Sequence, residues 1–200
     1  MPLIQLLLDS VLSIIGSFGY LGIFLLMLLE STVFPIPSEL VLPFAGYLSA
    51  AGELNFFAVI IVATAGSLVG SLISYYIGKY LGKELILRYG KFVFLDKHSL
   101  ELSHSWFEKF GAKIVFICRF IPAVRHVISI PAGIAEMQKR KFITYTVAGA
   151  FLWNSFLAYT GIILKENWQT LLQYSQILDI LVIVGIIFGI IFYFWLHLRK

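Results

Sequence analysis

The chain has 200 residues, of which 60% are hydrophobic and 13% are charged, and its formal net charge is +4. A soluble domain of this length needs more polar surface to cover its core, so this composition excludes an ordinary soluble domain and indicates a membrane protein. The positive charges are grouped between long uncharged stretches, which indicates that they set membrane topology rather than bind nucleic acid.

Four uncharged stretches are long enough for a helix to cross a bilayer at about 1.5 Å per residue. They contain 20 residues (10–29), 25 residues (54–78), 23 residues (142–164) and 19 residues (180–198). The last one lies within a predicted C-terminal span, 177–198. The N-terminus lacks the basic start and the cleavage site of a signal peptide, so residues 1–15 are predicted to remain, either as an amphipathic lead-in within the interface or as part of a span. We therefore predict an all-α polytopic protein with one membrane domain, 1–200, and four full transmembrane helices.

The distribution of Lys and Arg predicts the orientation. Seven of these residues lie in 79–113, three in 139–141 and two at the C-terminus, whereas the turn at Glu53 has none and the loop after the third span has only Lys165. Because Lys and Arg accumulate in cytoplasmic loops, we expect a cytoplasmic loop at 79–113 and a cytoplasmic C-terminus, in a plasma or inner membrane.

Two further apolar segments, 34–50 and 114–135, are interrupted by prolines and charges and do not fit as crossings. The charge map requires each to enter and leave on one face, so both are predicted to be re-entrant helical hairpins, inserted from opposite faces. They also resemble each other, because Pro43-Phe44-Ala45-Gly46 in the first matches Pro131-Ala132-Gly133 in the second, and a long span follows each. This pattern predicts an inverted repeat, as in many transporters.

The hairpins carry the most informative charges. Glu30 and Glu39 are expected on the first, Arg119 and Arg125 on the second, and facing hairpins would bring them together as a neutral set. A charge near the bilayer centre costs about 2.5–3.5 kcal/mol, so a functional role is a better explanation than a structural salt bridge or snorkelling.

This set of residues suits the handling of a phosphate. Two guanidinium groups can bind a phosphate bidentately, and a carboxylate in a poorly hydrated site takes up a proton more readily than one in water. We predict substrate binding by Arg119, Arg125, Ser38 and His126, although His126 is equally well explained as a structural imidazole. We predict proton coupling by Glu39, with Glu30 as the alternative. The sequence contains no pattern typical of a metal site, and we expect no cofactor.

The residues resemble the DedA family, also called the SNARE-associated or VTT-domain family. The resemblance rests on Glu30 with Pro35-Ile36-Pro37-Ser38-Glu39, on Gly70 with Tyr76-x-Gly78, and on Arg119-x-x-Pro122-x-x-Arg125 with Gly133. It covers roughly residues 15–165. It implies two opposed re-entrant hairpins and proton-linked translocation of undecaprenyl phosphate, with phospholipid scrambling in eukaryotic relatives. Some members carry an Asp downstream of the first Glu. This chain has none there, so Glu39 is expected to take that role.

The sequence therefore favours a flippase for a lipid phosphate, with protons and membrane lipids as further partners and no nucleic acid. A scramblase-like protein and an intramembrane enzyme acting on lipid phosphates remain alternatives. Ser38, Ser129 and His126 are only loosely placed for catalysis. A purely structural protein would explain the small-residue face from Gly66 to Gly82 but not the buried charges. Whether the protein forms a homo-oligomer stays open.

Overall fold

A computed structural model describes residues 3–32, 37–93, 111–125 and 127–164, and within these ranges the chain is helical with no strand. Four predicted features lie outside the described residues: Pro35, His126, the middle of the loop 79–113 and the C-terminal span 177–198. The helices are α1 (Leu3–Phe18), α2 (Tyr20–Glu30), α3 (Ser38–Ala51), α4 (Phe56–Val93), α5 (Lys113–Cys118), α6 (Pro122–Arg125), α7 (Ser129–Ile134) and α8 (Lys139–Ile163).

Two of the described helices are long and apolar enough to cross a membrane, namely Phe56–Leu81 within α4 and Lys139–Ile163, which is α8. They coincide with the uncharged stretches 54–78 and 142–164. Helix α4 continues to Val93 and has 38 residues, so the first part of the predicted loop 79–113 is helical. At 1.5 Å per residue α4 is about 57 Å long, which exceeds the bilayer core of about 30 Å.

The first uncharged stretch, 10–29, does not form one straight helix. Gly19, with φ 54°, separates α1 from α2. A Cβ atom added at Gly22 would lie 2.7 Å from the carbonyl oxygen of Ile14, whereas residues eight positions apart in a straight helix are separated by about 12 Å. The chain therefore folds back at Gly19, where glycine tolerates the left-handed φ, and α1 packs against α2. The predicted single crossing is corrected here.

The two proline-containing segments also differ from the predicted helix-turn-helix units. In its described part, residues 37–50, the first segment has one helix, α3, which runs through Pro43. The turn instead precedes α3, so the helix pair is α2 and α3. Segment 114–135 contains three short helices, α5 to α7, with turns at 119–121 and 127–128. Pro43 removes one backbone hydrogen bond from α3, and the packing of α3 on α8 offsets this loss.

Glycines set the closest helix contacts of α3. Gly46 lies against the backbone of Ala158 on α8, and Gly161 on α8 lies against the backbone of Pro43. In both cases a Cβ atom would overlap a carbonyl oxygen. The absence of a side chain at these positions allows the two backbones to touch, as in other membrane helix pairs.

The same contact occurs between α7 and α4. Gly133 lies against the backbone of Tyr75, and Gly78 lies against the backbone of Ile130. On each of the four helices the two residues at the contact are three positions apart. They are Pro43 and Gly46 on α3, Ala158 and Gly161 on α8, Ile130 and Gly133 on α7, and Tyr75 and Gly78 on α4. Helix α3 therefore packs on the long helix α8 in the same way as α7 packs on the long helix α4.

The first prediction tests the α3–α8 contact. Gly46→Ala places a methyl group against the Ala158 carbonyl, so we expect a loss of stability of about 1–3 kcal/mol, as for other overpacked sites. The measurement is the thermal unfolding midpoint of the purified protein in detergent. The matched control is Gly16→Ala, because a Cβ atom at Gly16 meets nothing within 4 Å. An unchanged midpoint for Gly46→Ala would contradict the packing described here.

Candidate functional site

A buried ion pair joins residues that are 95 positions apart in the sequence. The Nη2 group of Arg125, the last residue of α6, donates to Oε1 of Glu30, the last residue of α2. The side chain of Glu30 is 1% exposed and that of Arg125 is 6% exposed. Because neither charge is accessible, each depends on the other for compensation.

Ser38 belongs to the same group of contacts. Its hydroxyl accepts a hydrogen bond from Arg125 Nη2, and its backbone N–H donates to Glu30 Oε1 at 3.1 Å. The carboxylate of Glu30 therefore binds both the guanidinium of Arg125 and the first N–H of α3. This places the end of α2, the start of α3 and the end of α6 together.

Small residues on α4 allow α2 to come close enough for this arrangement. Gly70 lies against the backbone of Leu28, so the last turn of α2 contacts α4 directly. Ser74 also donates from its hydroxyl to the Ser31 carbonyl at 3.2 Å, which fixes the C-terminal end of α2. The small-residue face predicted from the sequence thus positions Glu30.

Arg119 is buried beside this ion pair but takes no part in it. It follows α5 and is 5% exposed, and its Nη2 group donates to the Ser71 hydroxyl at 2.5 Å. Its Nε group has no hydrogen-bond partner, and no carboxylate lies within ion-pair distance of Arg119 in the part of the chain that the structure describes. The positive charge of Arg119 is therefore not neutralised by these residues.

A small polar cavity lies between the two arginines. Its lining includes Glu30, Ser67, Arg119, Arg125, Trp153 and Asn154. The cavity has room for about one water molecule. A phosphate group is larger than this, so the cavity must widen before it can hold one.

Glu39 is not brought into this group. It is exposed on the first turn of α3, where its Oε2 accepts a hydrogen bond of 3.5 Å from the Ser38 hydroxyl. The expected neutral set of two glutamates and two arginines is therefore corrected. Within the described ranges the buried set contains two guanidinium groups and one carboxylate, and with these three ionised its net charge is +1.

Several polar residues around the cavity were not among the predicted site residues. Asn154 on α8 donates to the Thr64 hydroxyl on α4 at 3.3 Å, and the Ser71 hydroxyl donates to the Ser67 carbonyl at 2.6 Å. Arg125 lies over the ring of Trp153, with Cζ at 5.4 Å from the ring centroid. The signal available in the sequence was a polar side chain inside an otherwise apolar span, which membrane proteins use sparingly.

The remaining motif residues lie away from the cavity lining or shape the packing around it. Pro37 precedes α3, and Gly46, Gly78 and Gly133 make the close backbone contacts already described. Tyr76 stacks on Tyr80 with ring centroids 5.8 Å apart, and Lys139 Nζ lies 5.2 Å from the Tyr76 centroid. Tyr76 thus belongs to the junction of α4 and α8. Pro122 begins α6, and Pro131 lies within α7.

Among the described residues, no three His, Cys, Asp or Glu side chains are grouped as metal ligands.

Comparison with known proteins gives the family. The model of the VTT domain matches residues 36–163, a region that contains both arginines and both helices long enough to cross a membrane. No solved structure shows a significant match to the chain.

Three similar proteins cover most of the chain. Undecaprenyl phosphate transporter A of Bacillus subtilis is 36% identical over 82% of this chain and 80% of its own length. The Staphylococcus aureus protein of the same name is 36% identical over 90% of this chain and 92% of its own length. A Lactococcus lactis protein named alkaline phosphatase-like protein is 37% identical over 90% of this chain and 87% of its own length.

The match to the family model covers more than half of the chain, and relatives above 30% identity extend over most of it. The sequence motifs, the two apolar helices and these matches agree, and the chain belongs to the VTT-domain family, the DedA family of membrane proteins.

Proposed function

We propose that this protein carries a lipid with a phosphate head group across the membrane, and that the lipid is a polyprenyl phosphate such as undecaprenyl phosphate. The observation that supports this best is the buried guanidinium of Arg119, which has no carboxylate partner among the described residues and lines a polar cavity beside the Glu30–Arg125 pair. The two relatives named undecaprenyl phosphate transporter A support the same substrate.

The charge of the buried set suits an anionic head group. A buried, unpaired cation is costly, and a phosphate that enters the cavity would supply the missing negative charge. The planar fork of a guanidinium matches two phosphate oxygens, so Arg119 and Arg125 together can hold one phosphate group. An ordinary structural salt bridge leaves no such excess of positive charge.

Glu30 and the substrate phosphate compete for Arg125 in this proposal. When a phosphate binds, Arg125 leaves Glu30, and the freed carboxylate takes up a proton because it stays shielded from water. Return of Arg125 to Glu30 releases both the proton and the phosphate. The two binding events are thereby linked through one side chain, which couples lipid movement to protons. Glu30 is favoured over Glu39 for this role because Glu39 is exposed on α3.

The same ion pair holds the cavity closed. Glu30 and Ser38 connect α2 and α3 to Arg125 on α6. The repeated glycine contacts support an inverted repeat, with α2–α3 and α5–α7 entering from opposite faces of the membrane as re-entrant units. The Lys and Arg distribution supports a cytoplasmic position for the loop 79–113 and for the C-terminus. Loss of the Glu30–Arg125 pair would then open the cavity toward one face at a time.

A lipid-phosphate hydrolase is the second candidate, because one relative is named alkaline phosphatase-like protein and the Ser38 hydroxyl lies against Arg125. Product analysis separates the two activities. Proteoliposomes containing the purified protein and undecaprenyl phosphate should move the lipid between leaflets without releasing inorganic phosphate. Release of phosphate at the rate of lipid loss would identify an enzyme instead.

The second prediction concerns the arginines. Arg119→Lys and Arg125→Lys keep the charge but lose the planar fork, so each should bind undecaprenyl phosphate at least about tenfold more weakly, as expected for the loss of one charge-assisted hydrogen bond. Lipid binding to the purified variants in detergent is the measurement. The control is Lys139→Arg, which changes an exposed cation outside the cavity. Wild-type affinity in both lysine variants would mean that the arginines only balance charge.

The third prediction concerns proton coupling. Glu30→Gln mimics the protonated carboxyl group, so this variant should bind the lipid phosphate yet transport it at a rate independent of an imposed pH gradient. Transport in proteoliposomes with and without the gradient measures this. Glu39→Gln is the matched control, because it makes the same chemical change on an exposed residue, and it should keep the gradient dependence. If Glu39→Gln alone loses that dependence, the two glutamates have the opposite roles, and if neither variant loses it, coupling through this pair is wrong.

The fourth prediction concerns the orientation. Cysteines introduced at the exposed positions Glu53 and Gln138, in a Cys118→Ala background, should react with a membrane-impermeant thiol reagent from opposite sides of the membrane. We expect the Glu53 position to react from outside and the Gln138 position only after the cells are opened. Reaction of both positions from the same side would contradict the opposed insertion.

A further inference from the structure

Two residues that line the cavity each carry a buried hydrogen-bond donor without an acceptor among the described residues. The Nε of Arg119 and the indole Nε1 of Trp153 are buried, and neither has a hydrogen-bond partner in the described part of the chain. Both residues line the cavity. A buried donor left unpaired lowers stability, so two such donors on residues around one small cavity are unfavourable together. An acceptor that enters the cavity would remove this cost.

Trp153 also contacts the second arginine. The guanidinium of Arg125 lies over its ring at 5.4 Å, within the range of a cation–π interaction. The ring is held from two sides, by Phe120 at 6.3 Å and by Phe156 at 5.9 Å between centroids. The indole therefore has a fixed position next to both arginines, although it comes from α8 while the arginines come from the α5–α6 region.

We propose that Trp153 is a direct ligand of the lipid phosphate. In this arrangement the indole N–H and the Nε–H of Arg119 donate to oxygens of the head group, and the face of the indole ring keeps Arg125 at the cavity after its guanidinium leaves Glu30. The inference rests on the proposed function, since it requires a phosphate in this cavity. It adds a neutral donor and an aromatic support to a site otherwise made of charges and hydroxyls.

A phosphate monoester fits the enlarged set of donors. It has three terminal oxygens, each able to accept more than one hydrogen bond. The donors that face it are Arg119, Trp153 and, once released from Glu30, Arg125. The corresponding lipid alcohol has one oxygen and no charge, so it would gain little from any of these groups. Trp153 therefore contributes to recognition of the phosphate rather than of the isoprenoid chain.

The test uses the full-length protein in detergent, with farnesyl monophosphate as the probe and farnesol as the phosphate-free comparison. Trp153→Phe keeps an aromatic ring but removes the donor, and we expect it to bind farnesyl monophosphate roughly tenfold more weakly while its weak binding of farnesol stays unchanged. Tyr159→Phe is the matched control, because it removes one polar group from an exposed aromatic residue of α8. It should bind both compounds as the wild type does.

A second replacement guards against a packing artefact. Benzothienylalanine incorporated at position 153 has nearly the shape of tryptophan but carries sulfur in place of the N–H group. It should reproduce the loss of farnesyl monophosphate binding with an unchanged thermal unfolding midpoint. Wild-type affinity in this variant would overturn the proposal and would leave the indole as a packing residue.

The outcomes separate this inference from the proposed function. If Arg119→Gln abolishes binding of farnesyl monophosphate and both Trp153 replacements bind it normally, the role of Trp153 is wrong and the phosphate site stands. If Arg119→Gln and the Trp153 replacements all bind normally, the cavity does not hold the phosphate and both proposals fail. Loss in all of these variants, with farnesol binding unchanged, supports both.

Discussion

The ion pair between Glu30 and Arg125 connects parts of the chain that the sequence keeps far apart. It joins the last residue of α2 to the last residue of α6, and Ser38 adds the first residue of α3 through both its hydroxyl and its backbone N–H. Both side chains are buried, so each charge depends on the other for compensation as long as no other charged group is bound. These contacts therefore hold the end of α2, the start of α3 and the end of α6 together.

Close helix packing makes this burial possible. Gly66 and Gly70 bring α2 against α4, while Gly149 lets the side chain of Arg119 pass close to α8, where a Cβ atom would meet it at 2.9 Å. Lipid tails compete as well as apolar side chains do for an apolar helix face, so packing in membranes relies on small residues that allow backbones to touch. The glycines therefore determine how deep the charges lie and which helices surround them.

The described charged groups around the cavity carry more positive than negative charge, which favours an anionic ligand. Among the described residues the cavity is lined by one carboxylate, of Glu30, and by two guanidinium groups, of Arg119 and Arg125, and an anionic ligand would balance the second positive charge. A hydrolase would in addition need an activated nucleophile, and the Ser38 hydroxyl accepts a hydrogen bond from Arg125 and donates one of 3.5 Å to Glu39.

The membrane class, the family and the two long apolar helices could be predicted from the sequence, and so could Glu30, Arg119 and Arg125 as charges within apolar segments, all three of which are buried in the structure. Composition and the spacing of charges reflect a general constraint, because a charge within an apolar span is expensive wherever the chain folds. The tertiary structure alone decided that the chain turns back at Gly19, that Glu39 is exposed and that Ser71, Trp153 and Asn154 surround the arginines. These features depend on contacts between helices distant in sequence, such as Arg119 with Ser71, and no local pattern of residues encodes which helix face will meet which.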